Sequence, residues 1–302
     1  MRVAIIKKGI DIVFAKRLFL SMQNFLFDLE VEYPFFLRWL YKVFEELQVS
    51  DKRIILICCD DNNIFAIRGV AILKNTSEER KICTLRVLPS YRHQGIGTTL
   101  LRKATEVLND PYPLITVSGI HMDSFGPFLK KNGFVIKDKI KSLYKRGCYE
   151  YFYNIPYKHE VALISIRPEF VNKIMEGCKT VEFRKKVFSE TVRKVVIYSS
   201  SPKKLIVGYF LVTNIVCNSP SEIWNRYKLV GGIDKERYDE YFKGHHKAFA
   251  IEIKQFVPFT NPLNPYKFDV SFRPPQSFCY VDNVEFLNWL NINNGYNFNN
   301  KL

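Results

Sequence analysis

The spacing of apolar residues changes period several times in the first half of the chain. Val3 to Ile6 is a short strand run, after which recurrence at three and four residues predicts helices through Ile12 to Leu29 and Pro34 to Leu47. β-Branched runs at Ile54 to Cys59, Ile64 to Leu73 and Ile82 to Leu88 are separated by turns rich in Asp, Asn and Ser, the signature of an antiparallel meander. A helix at Gly97 to Leu108, a strand at Leu114 to Val117, a helix at Ser124 to Lys131 and strands around Phe134 and at Tyr144 to Tyr153 follow. The predicted order is β-α-α-β-β-β-α-β-α-β-β.

Asn154 to Glu160 carries Pro156 and a cluster of charged and imidazole side chains, which suits a connector. Domains are therefore expected at residues 1–153 and 160–302. The second opens with a strand at Val161 to Ile166 and a helix at Glu169 to Glu176, and Gly177 leads to a basic strand at Val181 to Val187. Further strands are expected at Val192 to Tyr198, Leu205 to Val216 and Ala248 to Phe256, with short helices near Ser221 to Tyr227 and Lys235 to Phe242. Several strands with few helices suggest a small β-barrel, so the fold class is α+β. The Asn-rich end, Asn291 to Leu302, is expected to fray.

Composition narrows the class. The 302 residues are 47% hydrophobic and 25% charged, enough to bury two cores and incompatible with wholesale disorder. Met1 to Lys8 lacks the apolar core of a secretory signal, and no apolar run approaches the roughly 20 residues of a spanning helix, so a cytoplasmic protein without a membrane partner is expected. Seven cysteines without a CxxC pair indicate neither a disulfide framework nor a zinc ribbon, and no metal is expected. The net charge of +15 is shared, since 24 basic and 16 acidic residues precede position 151 and 21 and 14 follow it. Two basic halves favour phosphate-rich partners such as nucleic acid or coenzyme A.

Leu85 to Leu101 reads LRVLPSYRHQGIGTTLL, a strand that stops at a proline, a glycine-bearing loop and an apolar helix. Gly95 and Gly97 let backbone N–H groups approach a ligand where the new helix leaves its donors unpaired, an environment suited to a pyrophosphate. No Gly-Lys-Ser/Thr follows, which excludes a Walker-A loop, and the G-x-G-x-x-G spacing of dinucleotide folds is missing. Arg92-x-x-Gly95-x-Gly97, preceded by Val87-x-Pro89 and Tyr91, resembles the acetyl-CoA loop of the GNAT family of N-acetyltransferases, and the element order over residues 1 to 153 matches that family. The resemblance implies a mixed sheet flanked by helices and acetyl-CoA as acyl donor. It also implies that Leu85, Arg86 and Val87 offer backbone groups to the pantetheine arm, with Arg92, His93, Gln94, Gly95, Ile96, Gly97 and Thr98 around the pyrophosphate.

Three features depart from the family's pattern. The residue that usually carries the acid tyrosine is Leu129, the asparagine position near that helix start is Met122, and Ile82 to Leu88 holds no Asp or Glu. Acyl transfer to an amine needs a proton acceptor. His121 follows the Leu114 to Val117 strand and is the candidate catalytic residue, with a polar loop histidine as its structural alternative.

Ala162 to Lys186 reads ALISIRPEFVNKIMEGCKTVEFRKK. Period two puts Glu182 and Arg184 on one strand face, where a carboxylate can pair a guanidinium and leave donors for a phosphate or a base edge. A solvated ion-paired strand would look the same. The G-x-K-T-V-E-x-R run, SSPKKLIVGYF downstream and GIDKERYDEYFKG before the strand at Ala248 together resemble the ASCH domain, a PUA-like barrel family, over about Glu160 to Gln255. The resemblance implies a cleft for RNA or a modified base, with Lys179, Thr180, Glu182 and Arg184 at its mouth. One bacterial branch hydrolyses acetylated cytidine with a lysine and a threonine after this glycine. Lys179 matches the lysine but Glu182 stands where the threonine is expected, so that activity is not implied. Tyr198, Tyr209, Tyr241 and Phe242 are candidates for stacking on bases or for the core.

The combined expectation is an acyl-CoA-dependent N-acetyltransferase directed by an ASCH-like domain to RNA or an RNA-associated amine. The competing expectation is a catalytically degenerate module that senses acyl-CoA and binds RNA.

Overall fold

A computed structural model describes residues 2–294, which divide into two units, one through Tyr157 and one from Lys158. The first runs β1 (Arg2–Ile6), α1 (Ile12–Leu26), α2 (Leu29–Glu32), α3 (Phe36–Val49), β2 (Arg53–Asp60), β3 (Asn63–Asn75), β4 (Arg80–Val87), α4 (Ile96–Leu108), β5 (Leu114–Ser118), α5 (Met122–Lys131), β6 (Ile136–Lys141) and β7 (Tyr149–Tyr153). Its sheet has the order β1-β2-β3-β4-β5-β7-β6, antiparallel except for β4 beside β5.

Alternation along the central strands explains the layers. Ile55, Ile57, Val70 and Ile72 face α1 and α3, whereas Ile54, Leu56, Ala71 and Leu73 face α4 and α5. Both faces are covered, so β2 reads as a continuous apolar run. The Asp11 carboxylate caps α1 by accepting the Val13 and Phe14 N–H groups at 2.9 and 3.0 Å.

The helix expected through Leu29 stops at Leu26, and the second begins at Phe36 rather than Pro34. Phe35 adopts a left-handed conformation (φ 71°) that separates α2 from α3. Glu30 holds this corner, accepting the Phe35 and Leu37 N–H groups at 3.1 and 2.7 Å. The strand expected around Phe134 begins at Ile136, because Phe134 is buried in the turn after α5 with its N–H bonded to the Leu129 carbonyl at 3.1 Å.

The second unit runs β8 (Val161–Ile166), α6 (Pro168–Met175), β9 (Val181–Arg184), β10 (Lys194–Ser199), β11 (Leu205–Asn218), α7 (Pro220–Tyr227), α8 (Lys235–Phe242), β12 (Ala248–Leu263), β13 (Phe278–Tyr280) and α9 (Val284–Asn294). Its six-stranded sheet, ordered β13-β8-β10-β11-β12-β9, curls into a half-barrel. Register shifts in the β11–β12 ladder at Ile206/Gly208, Leu211/Val212 and Val212/Asn214 bend the two long strands, which is how bulges curve a sheet.

Sequence patterning missed β13 and α9. The latter buries Phe286, Leu287 and Leu290 against Val161, Leu163 and Val196, so the first residues of the Asn-rich end, through Asn294, are helical. The remainder of the tail expected to fray lies outside the described residues. Among the described residues, no helix is long and apolar enough to cross a membrane and no His, Cys, Asp and Glu side chains cluster as metal ligands.

Candidate functional site

Two regions gather chemistry, one in each unit. In the first, β4 and β5 pair only through Lys81↔Leu114 and Ile82↔Ile115. Both strands then continue, to Val87 and Ser118, without pairing each other. A parallel pair that opens this way leaves backbone donors and acceptors on the facing edge of β4, which must find another partner.

The expected loop sits directly beyond that edge. A 3₁₀ turn at Pro89–Tyr91 leads through exposed Arg92, His93 and Gln94 to Gly95, the residue before α4, which takes φ +81°. The first bond within the helix is Thr99 N–H to the Gly95 carbonyl at 2.9 Å, so the Ile96, Gly97 and Thr98 amides have no intrahelical acceptor. The space beside Gly95 is open, and a Cβ at Gly97 would meet nothing closer than the Phe128 ring at 3.6 Å. Packing within the protein therefore does not require glycine at 97, whereas close approach of a pyrophosphate to the amides does. The residues present fit the phosphate end of acetyl-CoA on these grounds.

Ile96 is buried, so it offers only its amide. Leu85 and Val87 pack toward α4, while Arg86 points its side chain to the opposite face, where it pairs with Asp28, and lies across from Val70 in the β3–β4 ladder. His121, in the 3₁₀ turn after β5, places Nε2 2.7 Å from the Glu32 carboxylate and is partly exposed. Leu129 is fully buried, and Met122 Sδ accepts the Tyr153 hydroxyl at 3.6 Å.

On the face opposite α4 is a pocket that sequence reading missed. Glu32, Tyr33, Ser118, Leu143, Tyr144 and Glu150 line it, with Ser118 and Glu150 cross-strand partners on β5 and β7. Glu150 is 4% exposed, and burial pushes its carboxyl up to about 7 despite the Thr116 hydroxyl and Lys81. Its Oε1 has no hydrogen-bond partner. The available signal was a single carboxylate inside the aromatic strand YEYFY.

In the second unit, β9 carries Glu182 and Arg184 on one face, as period two requires, and Val181 and Phe183 on the other, packed against α7 and α8. The Arg184 guanidinium lies 3.0 Å from Glu182 and donates to the Ser165 carbonyl at 2.8 Å. Lys179 lies 3.3 Å from the other Glu182 oxygen and donates to the Gly231 carbonyl at 2.6 Å. All three are buried, with exposures of 3% for Lys179, 7% for Glu182 and 8% for Arg184. Desolvation lowers the Lys179 ammonium from its ordinary range, against the opposing pull of Glu182.

Gly231 permits this enclosure, because a Cβ there would come within 2.3 Å of the Phe183 ring. Thr180 is exposed, and its backbone bonds to Val230 and Ile253. Of the aromatic candidates, Tyr198 and Phe242 are core residues, and Tyr209 packs on Phe259. Tyr241 is 37% exposed beside Lys185, whose ammonium sits 4.8 Å from its ring centre.

A family model described as the acetyltransferase (GNAT) family matches residues 22–117, and one described as the ASCH domain matches residues 164–256. An ASCH domain-containing ribonuclease from Zymomonas mobilis subsp. mobilis is 32% identical over 136 residues, covering 44% of this chain and 90% of that protein. Among solved structures, ASCH from Zymomonas mobilis covers 44% of this chain and 96% of its own, at 28% identity and a TM-score of 0.42. A structure described as a GNAT-family acetyltransferase from Desulfovibrio desulfuricans covers 50% of this chain and 97% of its own, at 18% identity and a TM-score of 0.40.

Proposed function

Because the chain belongs to the ASCH family through its second unit and carries a GNAT acetyltransferase domain in its first, we propose that it is an acyl-CoA-dependent N-acetyltransferase whose ASCH domain directs it to RNA or an RNA-associated amine. The observation that carries the reading is the opening between β4 and β5 beside the free amides of Ile96, Gly97 and Thr98. Acetyl-CoA, when bound, supplies a thioester carbonyl activated toward an amine.

The chain's own residues do the rest. The loop amides and Arg92 hold the phosphates, and the free edge of β4 from Leu85 to Val87 orients the pantetheine arm. His121, next to Glu32 at the end of β5, moves a proton between the cleft and water. Leu129 provides no acid, so departure of the thiolate relies on its own stability near neutral pH.

The RNA half of the reading rests on the Lys179–Glu182–Arg184 group, with Thr180 and Tyr241 at the surface beside it. The Zymomonas mobilis relative is named a ribonuclease, which favours RNA as the ligand of this unit as well. Buried cationic donors held by a carboxylate are pre-organised for a phosphate that reaches them.

Calorimetry with acetyl-CoA, followed by thiol release with RNA and with primary amines, tests the proposal. Binding with amine-dependent release supports it. Tight binding without turnover under any amine or RNA supports instead the sensor module, which the buried Leu129 in place of a phenol favours.

A further inference from the structure

The pocket opposite α4 holds a group that the donor cleft leaves unexplained. Glu150 is almost fully buried at the end of β7, opposite Ser118, where β5 has already left β4. Its Oε1 is buried without a hydrogen-bond partner, an expensive arrangement unless a ligand supplies a donor. The pocket is reached from the α2 side and not from the α4 side that carries the phosphate loop, so its contents and the donor approach the opened strands from opposite faces. Sheet alternation enforces this, since Ile115 and Val117 face α4 whereas Leu114 and Phe152 pack on the other side.

We propose that this pocket is the acceptor site and that Glu150 is the catalytic base that takes the proton from a primary ammonium. The assignment rests on the acetyltransferase reading of the first unit. The amine nitrogen gives one proton to Glu150, and its freed lone pair forms the C–N bond to the thioester carbonyl carbon. The C–S electron pair leaves with sulfur, which takes the second N–H proton, so an amide and a thiol are formed. The proton on Glu150 returns to water through Glu32 and partly exposed His121, which are already joined at 2.7 Å.

The groups that face Glu150 set its proton affinity. The Thr116 hydroxyl on β5, the Tyr33 hydroxyl after α2 and the Lys81 ammonium on β4 favour its charged form, whereas Glu32 on α2 and Tyr144 in the β6–β7 turn disfavour it. Burial dominates and brings the carboxyl near neutrality, where a general base is most effective. The pocket's carboxylates select a cationic acceptor, and its space is narrow enough that only the ammonium end of a primary amine enters it.

The test compares the wild-type chain with Glu150→Gln, using spermidine, tyramine and a tripeptide with a free N-terminus as amine probes. Both proteins should bind acetyl-CoA with the same affinity in calorimetry, because Glu150 lies across the sheet from the phosphate loop. Thiol release with at least one probe should fall 100-fold or more in the variant, with loss of the rate increase through pH 7. Carboxyl NMR, with the Glu150 signal identified by its disappearance in the variant, should show titration near 7. A signal that titrates in the ordinary carboxylate range, release from none of the probes, or equal pH profiles in the two proteins would overturn the assignment. Failure of the wild type to bind acetyl-CoA would instead remove the acetyltransferase reading beneath it.

Discussion

Lys179 and Glu182 face each other at 3.3 Å inside the second unit, three positions apart around the turn into β9. Each is needed by the other, since removal of one partner leaves an uncompensated charge in the interior. Glu182→Ala should therefore lower the unfolding free energy of this unit by about 3–5 kcal/mol. Arg237→Ala, which breaks the solvent-exposed pair with Glu169, should cost far less. Urea unfolding followed by fluorescence checks the contrast, and equal costs would mean that the enclosure of the triad has no energetic weight.

The phosphate loop makes a separable prediction. A Cβ at Gly97 meets only ordinary contacts, so Gly97→Val should fold while its branched side chain stands over the amides of α4. Acetyl-CoA affinity should fall at least tenfold. Arg92→Ala, which removes an exposed charge, should weaken binding less and more so at low salt. Calorimetry at two ionic strengths decides, and unchanged affinity in a folded Gly97 variant would reject the site.

Stability of the first unit should carry the imprint of Glu150. With its folded value near 7 and an ordinary value of 4.5, the native state binds more protons than the unfolded chain between these limits. Stability from this group is thus lost as pH rises from about 4.5 to 7, by roughly 3 kcal/mol at ~1.4 kcal/mol per pH unit. Glu150→Gln should be more stable than wild type at pH 8 and lose that advantage at pH 5. Thermal melts across this range measure the difference; parallel curves would place the titration elsewhere.

RNA binding should depend on place and not on total charge. Replacing Lys179 and Arg184 together by alanine should weaken RNA binding at least tenfold and flatten the salt dependence by about one phosphate contact for each residue lost. Replacing exposed Lys7 and Lys8 removes the same charge and should change little. Because loss of both cations leaves Glu182 buried without a partner, far-ultraviolet dichroism must first show each variant folded, and only folded variants are compared by filter binding at several salt concentrations. Equal losses in the two double variants would point to diffuse electrostatics.

Both families were legible because their motifs are local. The loop from Arg92 to Gly97 needs only the conformational freedom of glycine and the start of a helix, and the Glu182–Arg184 pairing follows from the two-residue period of a strand. The meander was equally plain, since its central strands are buried on both faces.

Element edges set by side-chain contacts were less legible. Phe36 opens α3 because Glu30 holds the corner before it, and α9 forms because Phe286, Leu287 and Leu290 find a sheet surface far upstream in sequence, at Val161, Leu163 and Val196.

Local pattern determined the order of most elements, the phosphate loop, the acid-free positions at Leu129 and in the fourth strand, and the charged face of β9. Burial and convergence belonged to the tertiary structure alone. Lys179 changes from a basic residue at a turn to a desolvated ammonium only when the Gly231 backbone closes over it, and Glu150 acquires its near-neutral proton affinity from its burial and from Glu32, over a hundred positions away in the chain. Charge state depends on what surrounds a group in space, and neighbours brought by distant strands leave no periodic trace along the sequence.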